Sequence, residues 1–133
     1  MPGYAGTPLA KKLSLKPGLR AWFDGMPESV RAQIGDEGLE LLERPEAAIG
    51  AAHIFVASRA DMEAKLVALR PLLGPAGFIW VSWPKRASKL PTDITEDRIR
   101  DAILHSTDLV DVKVCAVDAP WSGLKLMIRK VHR

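Results

Sequence analysis

Cationic, acidic and aromatic side chains meet in one stretch of the sequence that could bind an anion. Lys85 and Lys89 follow an apolar run that ends at Trp83, and Asp93 stands just ahead of a predicted helix. An ammonium group pairs with a phosphate or a carboxylate, and an indole offers a flat apolar surface. The stretch therefore predicts a ligand-binding loop. The alternative is a solvated loop beside a core tryptophan.

A second polar group stands in a turn near the C-terminus. Asp118, Trp121 and Ser122 stand beside Pro120 and Gly123, which are turn residues. We expect these three side chains to reach the same edge of the protein as Lys85, so all seven residues form one predicted site. The alternative for Trp121 is to cap the core.

Two acids end short apolar segments and suit a nucleoside. Asp24 and Glu43 stand where related folds place carboxylates that bind ribose hydroxyls. However, the turn after Asp24 has one glycine and lacks the pattern Gly-x-Gly-x-x-Gly, and Met26 and Pro27 would crowd an approaching ligand. We therefore expect no cofactor, and S-adenosylmethionine bound by these two acids is the alternative.

The remaining reactive residue types form no catalytic or metal-binding pattern. Cys115 lies in the middle of a predicted strand, where a free cysteine is usually a small buried hydrophobe. His53, His105 and His132 are isolated, without the spacing of metal ligands. No nucleophile elbow of the form Gly-x-Ser-x-Gly occurs. The sequence thus predicts neither a catalytic residue nor a metal site.

Length and composition predict one domain. The chain has 133 residues, 47% of them hydrophobic, which is enough for a core without disulfides. We expect one domain over 1–133, with 1–7 as an N-terminal arm. There is one cysteine, no apolar run long enough to span a membrane, and no signal-peptide pattern, so we expect a cytoplasmic protein with no membrane partner.

The net charge of +3 comes from 19 basic and 16 acidic residues. Basic residues cluster near both ends of the chain, but no aromatic residues alternate with them as in proteins that bind single strands. This composition disfavours a nucleic-acid partner.

The chain is organised around the apolar run Gly77–Lys85, which carries no charge until Lys85. Large side chains occupy both alternating sets of positions, so this strand must be buried on both faces. Gly74-Pro75 and Pro84 set its predicted limits.

Further strands and helices alternate along the chain. Strands are expected at 19–23, 39–42, 53–57, 110–118 and 124–129. Helices are expected at 8–15 and 27–34, from a cap at Ser58 to Gly74, and from a cap at Asp93 or Thr95 through Ile103. The segment 46–52 is left unassigned.

This alternation predicts an α/β fold, a three-layer Rossmann-like sandwich with a mainly parallel sheet of about six strands and a C-terminal antiparallel hairpin. We expect the strand at 19–23 beside that at 53–57, and the last strand between those at 77–84 and 110–118. This topology resembles S-adenosylmethionine-dependent methyltransferase domains.

Several segments also resemble a small bacterial family of unknown function. They are Gly3–Leu13, Leu15–Gly18, Trp83-Pro84-Lys85, 92–97 and Val110–Asp118 with the turn that follows. The family more often has Ser than Ala5 and often has Asn in place of Val112. The resemblance implies a cytoplasmic bacterial protein with no assigned reaction.

Together these features predict a non-catalytic binding or interaction module that accepts an anion at the carboxyl edge of the sheet. Its expected partner is a small anion or a protein, with a homo-oligomer possible. The first alternative is a methyltransferase-like enzyme with a degenerate nucleoside-binding turn. The second is weak nucleic-acid binding through the basic termini.

Overall fold

Six strands and four helices make up the computed structural model, which describes residues 8–132 and, at 105 and 106, the backbone alone. The predicted arm lies outside these residues. The strands are β1 Arg20–Asp24, β2 Glu40–Leu41, β3 Ile49–Phe55, β4 Leu73–Pro84, β5 Leu109–Asp118 and β6 Trp121–Ile128. The helices are α1 Leu9–Lys12, α2 Glu28–Ile34, α3 Arg59–Leu69 and α4 Glu96–Ser106.

The strands form one mixed sheet in the order β2-β1-β3-β4-β6-β5. The first four are parallel, and β6 runs antiparallel to both of its neighbours. Two predicted neighbour relationships are confirmed, since β1 lies beside β3 and β6 lies between β4 and β5. The predicted Rossmann-like α/β architecture with a closing hairpin is also confirmed.

Helices cover both faces of this sheet. On the α3/α4 face, Met62, Leu66 and Ile99 pack against β3, β4 and β6. On the α1/α2 face, Leu13 and Val30 pack against the other side of the same strands. Every β4 residue from Gly77 to Pro84 is buried, so the prediction of a strand covered on both faces is confirmed.

Side-chain caps begin the two longest helices. The Oγ of Ser58 accepts a hydrogen bond of 3.3 Å from the backbone N–H of Asp61, which confirms the predicted cap of α3. Thr95 caps α4 by accepting from the N–H of Arg98 at 3.1 Å. Of the two residues proposed for that cap, Thr95 is therefore the one used.

Three strands, β3, β4 and β6, begin at least three residues earlier than predicted, and β6 starts at Trp121, within the predicted turn. β3 starts at Ile49, within the segment left unassigned, and β4 starts at Leu73 and passes through Gly74 and the following proline. The prediction that the helix runs to Gly74 is therefore wrong, because α3 ends at Leu69 and a short 3₁₀ turn leads into β4. Ile49 pairs with Leu73, and this contact extends the parallel ladder.

Candidate functional site

The parallel strands β1, β3 and β4 end at one edge of the sheet, at Asp24, Phe55 and Pro84. The chain leaves β1 through α2 on one face and leaves β3 through α3 on the other. The winding therefore reverses between β1 and β3. In open α/β sheets this reversal is where ligands bind.

Asp24 stands at this reversal and already has a partner. Its carboxylate forms an ion pair with Lys65 on α3, with Oδ2 and Nζ 3.0 Å apart. The same ammonium group lies 3.4 Å from Oδ2 of Asp61. Burial lowers the pKa of Lys65, but the two carboxylates outweigh burial and raise it overall. Lys65 thus pairs with Asp24 and has a second carboxylate partner in Asp61.

The turn after Asp24 passes close to the backbone of β3, but its side chains do not cover the edge of the sheet. Gly25 has φ 71°, a left-handed conformation that favours glycine, and a Cβ there would lie 3.4 Å from the carbonyl oxygen of Phe55. The side chain of Met26 packs against the buried cluster on the α1/α2 face. Because the Met26 side chain packs against the core, it crowds a ligand at the edge of the sheet less than the sequence suggests.

Glu43 follows β2 by two residues and is exposed. It lies beyond the short strand that pairs with β1. The second acid expected for a nucleoside therefore remains accessible to solvent.

A cleft of about 460 Å³ opens between the end of β4 and the first turn of α4. Trp83 and Ile94 contribute apolar surface, and three cationic side chains line the cleft: Arg86, Lys89 and Arg98. We call this the β4–α4 cleft. Its lining includes Trp83 and Lys89 from the predicted anion site.

Asp93 has a structural role beside this cleft. Its Oδ1 accepts a hydrogen bond of 2.6 Å from the backbone N–H of Arg59, at the start of α3. The neighbouring Thr92 donates from Oγ1 to the carbonyl oxygen of Ala57 at 2.6 Å. These two bonds attach the loop to the junction that follows β3.

Two other predicted site residues, Asp118 and Trp121, belong to the α1/α2 side of the sheet. The carboxylate of Asp118 accepts hydrogen bonds from Ser29 Oγ at 2.9 Å and Gln33 Nε2 at 3.1 Å, both on α2. Burial favours the neutral acid, but these bonds, the N–H of Ala119 and the charge of Lys85 outweigh burial and lower the pKa of Asp118. Asp118 therefore fastens the hairpin to α2.

Trp121 also lies on the α1/α2 face. Its ring meets Phe55 edge-on, with centroids 5.1 Å apart. Ser122 is half-buried and lies opposite Trp83 in the β4–β6 register. The seven predicted residues thus share one edge of the sheet but divide between its two faces.

Sequence reasoning missed three cations near this edge. Arg86, Arg98 and Lys65 are absent from the site that the sequence predicts. Two of these positions carry a signal: Arg98 lies three residues after the cap Thr95, and Lys65 lies four after Asp61, so each occupies the first turns of a helix that starts at the carboxyl edge.

Other titratable groups offer little chemistry. Burial raises the pKa of the Cys115 thiol, which keeps it protonated and weakly nucleophilic. Within 8–132, no cluster of three or more His, Cys, Asp or Glu side chains could hold a metal ion. No helix in that range is long and apolar enough to cross a membrane.

Comparisons by sequence give no relative. No protein-family model matches the chain, and no curated protein matches it significantly. The resemblance to a small bacterial family therefore stays a prediction.

Among solved structures, the chain is similar to several methyltransferases. Ribosomal protein L11 methylase from Lactobacillus delbrueckii subsp. bulgaricus aligns with a TM-score of 0.59 and 11% identity, over 91% of this chain and 75% of that one. Mitomycin 7-O-methyltransferase aligns with a TM-score of 0.62 and 13% identity, over 90% of this chain and 52% of that one. The present chain thus spans about half the length of the mitomycin enzyme.

A third solved structure carries a ligand. It is a SAM-dependent methyltransferase from Thiobacillus denitrificans in complex with S-adenosyl-L-homocysteine, with a TM-score of 0.55 and 11% identity over 91% of this chain and 89% of that one. At these identities the likeness shows the fold, which is the Rossmann-like fold of methyltransferases.

Two expectations are corrected by these comparisons. The predictions of a non-catalytic module and of no cofactor are wrong, because the solved structures that share this fold include methyltransferases, and some structures with this fold hold S-adenosylmethionine or S-adenosylhomocysteine. The sequence-based interpretation gave the missing glycines after Asp24 more weight than the strand order.

Proposed function

We propose that this chain is an S-adenosylmethionine-dependent methyltransferase with a nucleoside-binding turn reduced to Gly25. The observation that carries the proposal is the position of Asp24, which ends β1 at the point where the winding of the sheet reverses. A carboxylate there can accept hydrogen bonds from a ligand that lies across the ends of β1 and β3.

The residues at this edge fit such a ligand. Gly25 carries no side chain, and Met26 is partly buried and packs against the core cluster. Asp24 and Glu43 would hold polar groups of the nucleoside. When bound, S-adenosylmethionine supplies a methyl group on a positively charged sulfur.

Lys65 sets the electrostatic balance at this edge. It neutralises Asp24 in the free protein, and its second contact with Asp61 gives it an alternative partner when Asp24 turns to a ligand. A ligand with positive charge near Asp24 would replace one ion pair with another, so Asp24 would not be left unpaired.

Isothermal titration with S-adenosylmethionine and S-adenosylhomocysteine tests the proposal. We expect the wild-type protein to bind both, and Asp24→Asn and Glu43→Gln to lose affinity by about tenfold, the equivalent of one charge-assisted hydrogen bond. Asp97→Asn is the matched control, because its side chain is 96% exposed and lies in the first turn of α4.

Thermal unfolding gives a second readout in the same variants. A ligand at about 100 times its dissociation constant stabilises the native state by about 2.7 kcal/mol, which raises the unfolding midpoint by several degrees in a domain of this size. Failure of both compounds to bind the wild-type protein would refute the proposal. So would unchanged affinity in both acid variants.

A further inference from the structure

The β4–α4 cleft has a charge that the described protein does not neutralise. Glu96 is the acidic side chain in its lining, and its carboxylate forms an ion pair of 2.5 Å with Arg100. Among residues 8–132, no carboxylate lies within ion-pair distance of Arg86, Lys89 or Arg98. Arg98 Nη1 donates to the carbonyl oxygen of Asp93 at 2.6 Å, which is an uncharged partner.

We infer that this cleft binds the anionic group of a small organic acid or phosphate ester, and that the bound molecule is the methyl acceptor. The identification of the bound molecule as the acceptor rests on the proposed function, whereas the binding of an anion does not. Two guanidinium groups and one ammonium group in the lining of one cleft are suited to phosphate or carboxylate oxygens.

The apolar part of the lining fits an organic body rather than a bare ion. Trp83 and Ile94 are buried and form apolar surface at the base, while Leu90 is 48% exposed at the rim. A ligand that covers such an exposed apolar side chain removes apolar surface from water, which makes binding more favourable. The cleft therefore selects an anion joined to an aromatic or aliphatic group.

The loop that carries the cations has a defined shape. Ser88 Oγ donates to the carbonyl oxygen of Lys85 at 2.6 Å and accepts from the N–H of Leu90 at 3.2 Å. Lys89 has φ 60° and ψ 13°, a left-handed conformation that is uncommon for a residue with a side chain. Arg86 and Lys89 are thus presented by a folded turn, which reduces the ordering cost of binding.

The same loop connects the cleft to the proposed cofactor edge. Thr92 and Asp93 bind the backbone at Ala57 and Arg59, which directly follow β3. β3 is the neighbour of β1, which ends at Asp24. A molecule anchored in the cleft would therefore lie on the side of the edge where β3 and β4 end.

Phenyl phosphate is the probe for the test. Inorganic phosphate and phenol are the two comparison compounds, because each carries only the anionic or only the aromatic half of the probe. We expect phenyl phosphate to bind the wild-type protein and to shift the indole N–H resonance of Trp83 in NMR spectra of the ¹⁵N-labelled protein. The double variant Arg86→Gln/Lys89→Gln should bind it at least tenfold more weakly. The matched control is Arg44→Gln/Lys130→Gln, which removes two exposed cations elsewhere and should bind as the wild type does.

Three outcomes would overturn the inference. They are no binding of phenyl phosphate, equal affinity in the two double variants, and phenol binding as strongly as phenyl phosphate. Inorganic phosphate binding as tightly as phenyl phosphate would overturn the apolar part of the assignment.

Titration of S-adenosylmethionine into the same proteins separates the two proposals. If it binds and phenyl phosphate does not, the cleft assignment fails and the proposed function stands. If phenyl phosphate binds through Arg86 and Lys89 but S-adenosylmethionine does not bind the wild type, the proposed function fails and the anion site stands.

Discussion

The indole Nε1 of Trp80 donates a hydrogen bond of 3.0 Å to the carbonyl oxygen of Leu13. Trp80 lies in the central strand β4, and Leu13 is the residue that caps the end of α1. Both side chains are fully buried. This bond joins two elements 67 residues apart and satisfies a polar atom at a buried helix end.

Replacing Trp80 with Phe should destabilise the protein by about 3 kcal/mol. The change removes the donor to a buried carbonyl, which costs about 1–3 kcal/mol, and leaves a void where the larger ring was. Urea denaturation followed by circular dichroism measures the free energy of unfolding. Trp121→Phe serves as the control, because Trp121 is only half-buried and its contact with Phe55 is ring to ring. Equal losses in the two variants would contradict the role given to this hydrogen bond.

A buried histidine should make stability depend on pH. His53 Nε2 lies 2.7 Å from Ser82 Oγ, and its ring stacks on Phe55 with centroids 4.4 Å apart. Burial lowers the pKa of His53 from 6.5 to about 3, so the native state keeps the ring neutral.

The sign of this dependence follows from the proton balance. Below pH 6.5 the unfolded chain binds a proton at His53 that the native protein does not, so the free energy of unfolding falls as the pH falls toward 3. We expect His53 to contribute a loss of about 2 kcal/mol between pH 7 and pH 5. Urea denaturation across this range should show a smaller loss in His53→Gln. His132→Gln, which changes a half-exposed side chain, should keep the wild-type slope. Parallel curves for the wild type and His53→Gln would show that this ring stays accessible to protons.

Two glycines near the start of β4 provide a matched pair. A Cβ on Gly77 would lie 2.6 Å from the carbonyl oxygen of Ile49 and 2.8 Å from Leu73 Cδ1. A Cβ on Gly74 would meet the same oxygen at 3.5 Å, an ordinary contact. We expect Gly77→Ala to lower the free energy of unfolding by about 2–3 kcal/mol, because the backbone of β3 must move, and Gly74→Ala to lower it by less than about 1 kcal/mol. Thermal unfolding of both variants is the measurement. Similar midpoints would show that the two strands separate here at little cost.

The course of the sheet was largely predictable because large apolar residues mark its centre. The run through Trp83 is buried on both faces, as its composition indicates. The beginnings of β3 and β4 were not predictable, since Ile49 is followed by small residues and Leu73 by turn residues. Those ends are fixed by the pairing of Ile49 with Leu73, a contact between distant parts of the chain.

The edge of the candidate site was predictable, whereas the face on which each residue lies was not. Parallel strands place their carboxyl ends together, which is why Trp83 and Trp121 are expected at one edge. In the ladder, however, Trp83 lies opposite Ser122, and Trp121 lies opposite Pro84, one position further on. Successive residues of a strand point to opposite faces, and only the register, which the sequence does not contain, decides which indole enters the cleft.

The position of β6 has a consequence for the way this protein is made on the ribosome. Among the strands of residues 8–132, β5 pairs only with β6, and β6 separates it from β4. While the chain is being synthesised, β5 leaves the ribosome before the strand that must attach it to the sheet. During that interval one hydrogen-bonding edge of β4 is unpaired. Because β4 carries no charged side chain and is buried from Gly77 to Pro84 in the folded sheet, the nascent chain is most prone to aggregate just before β6 emerges.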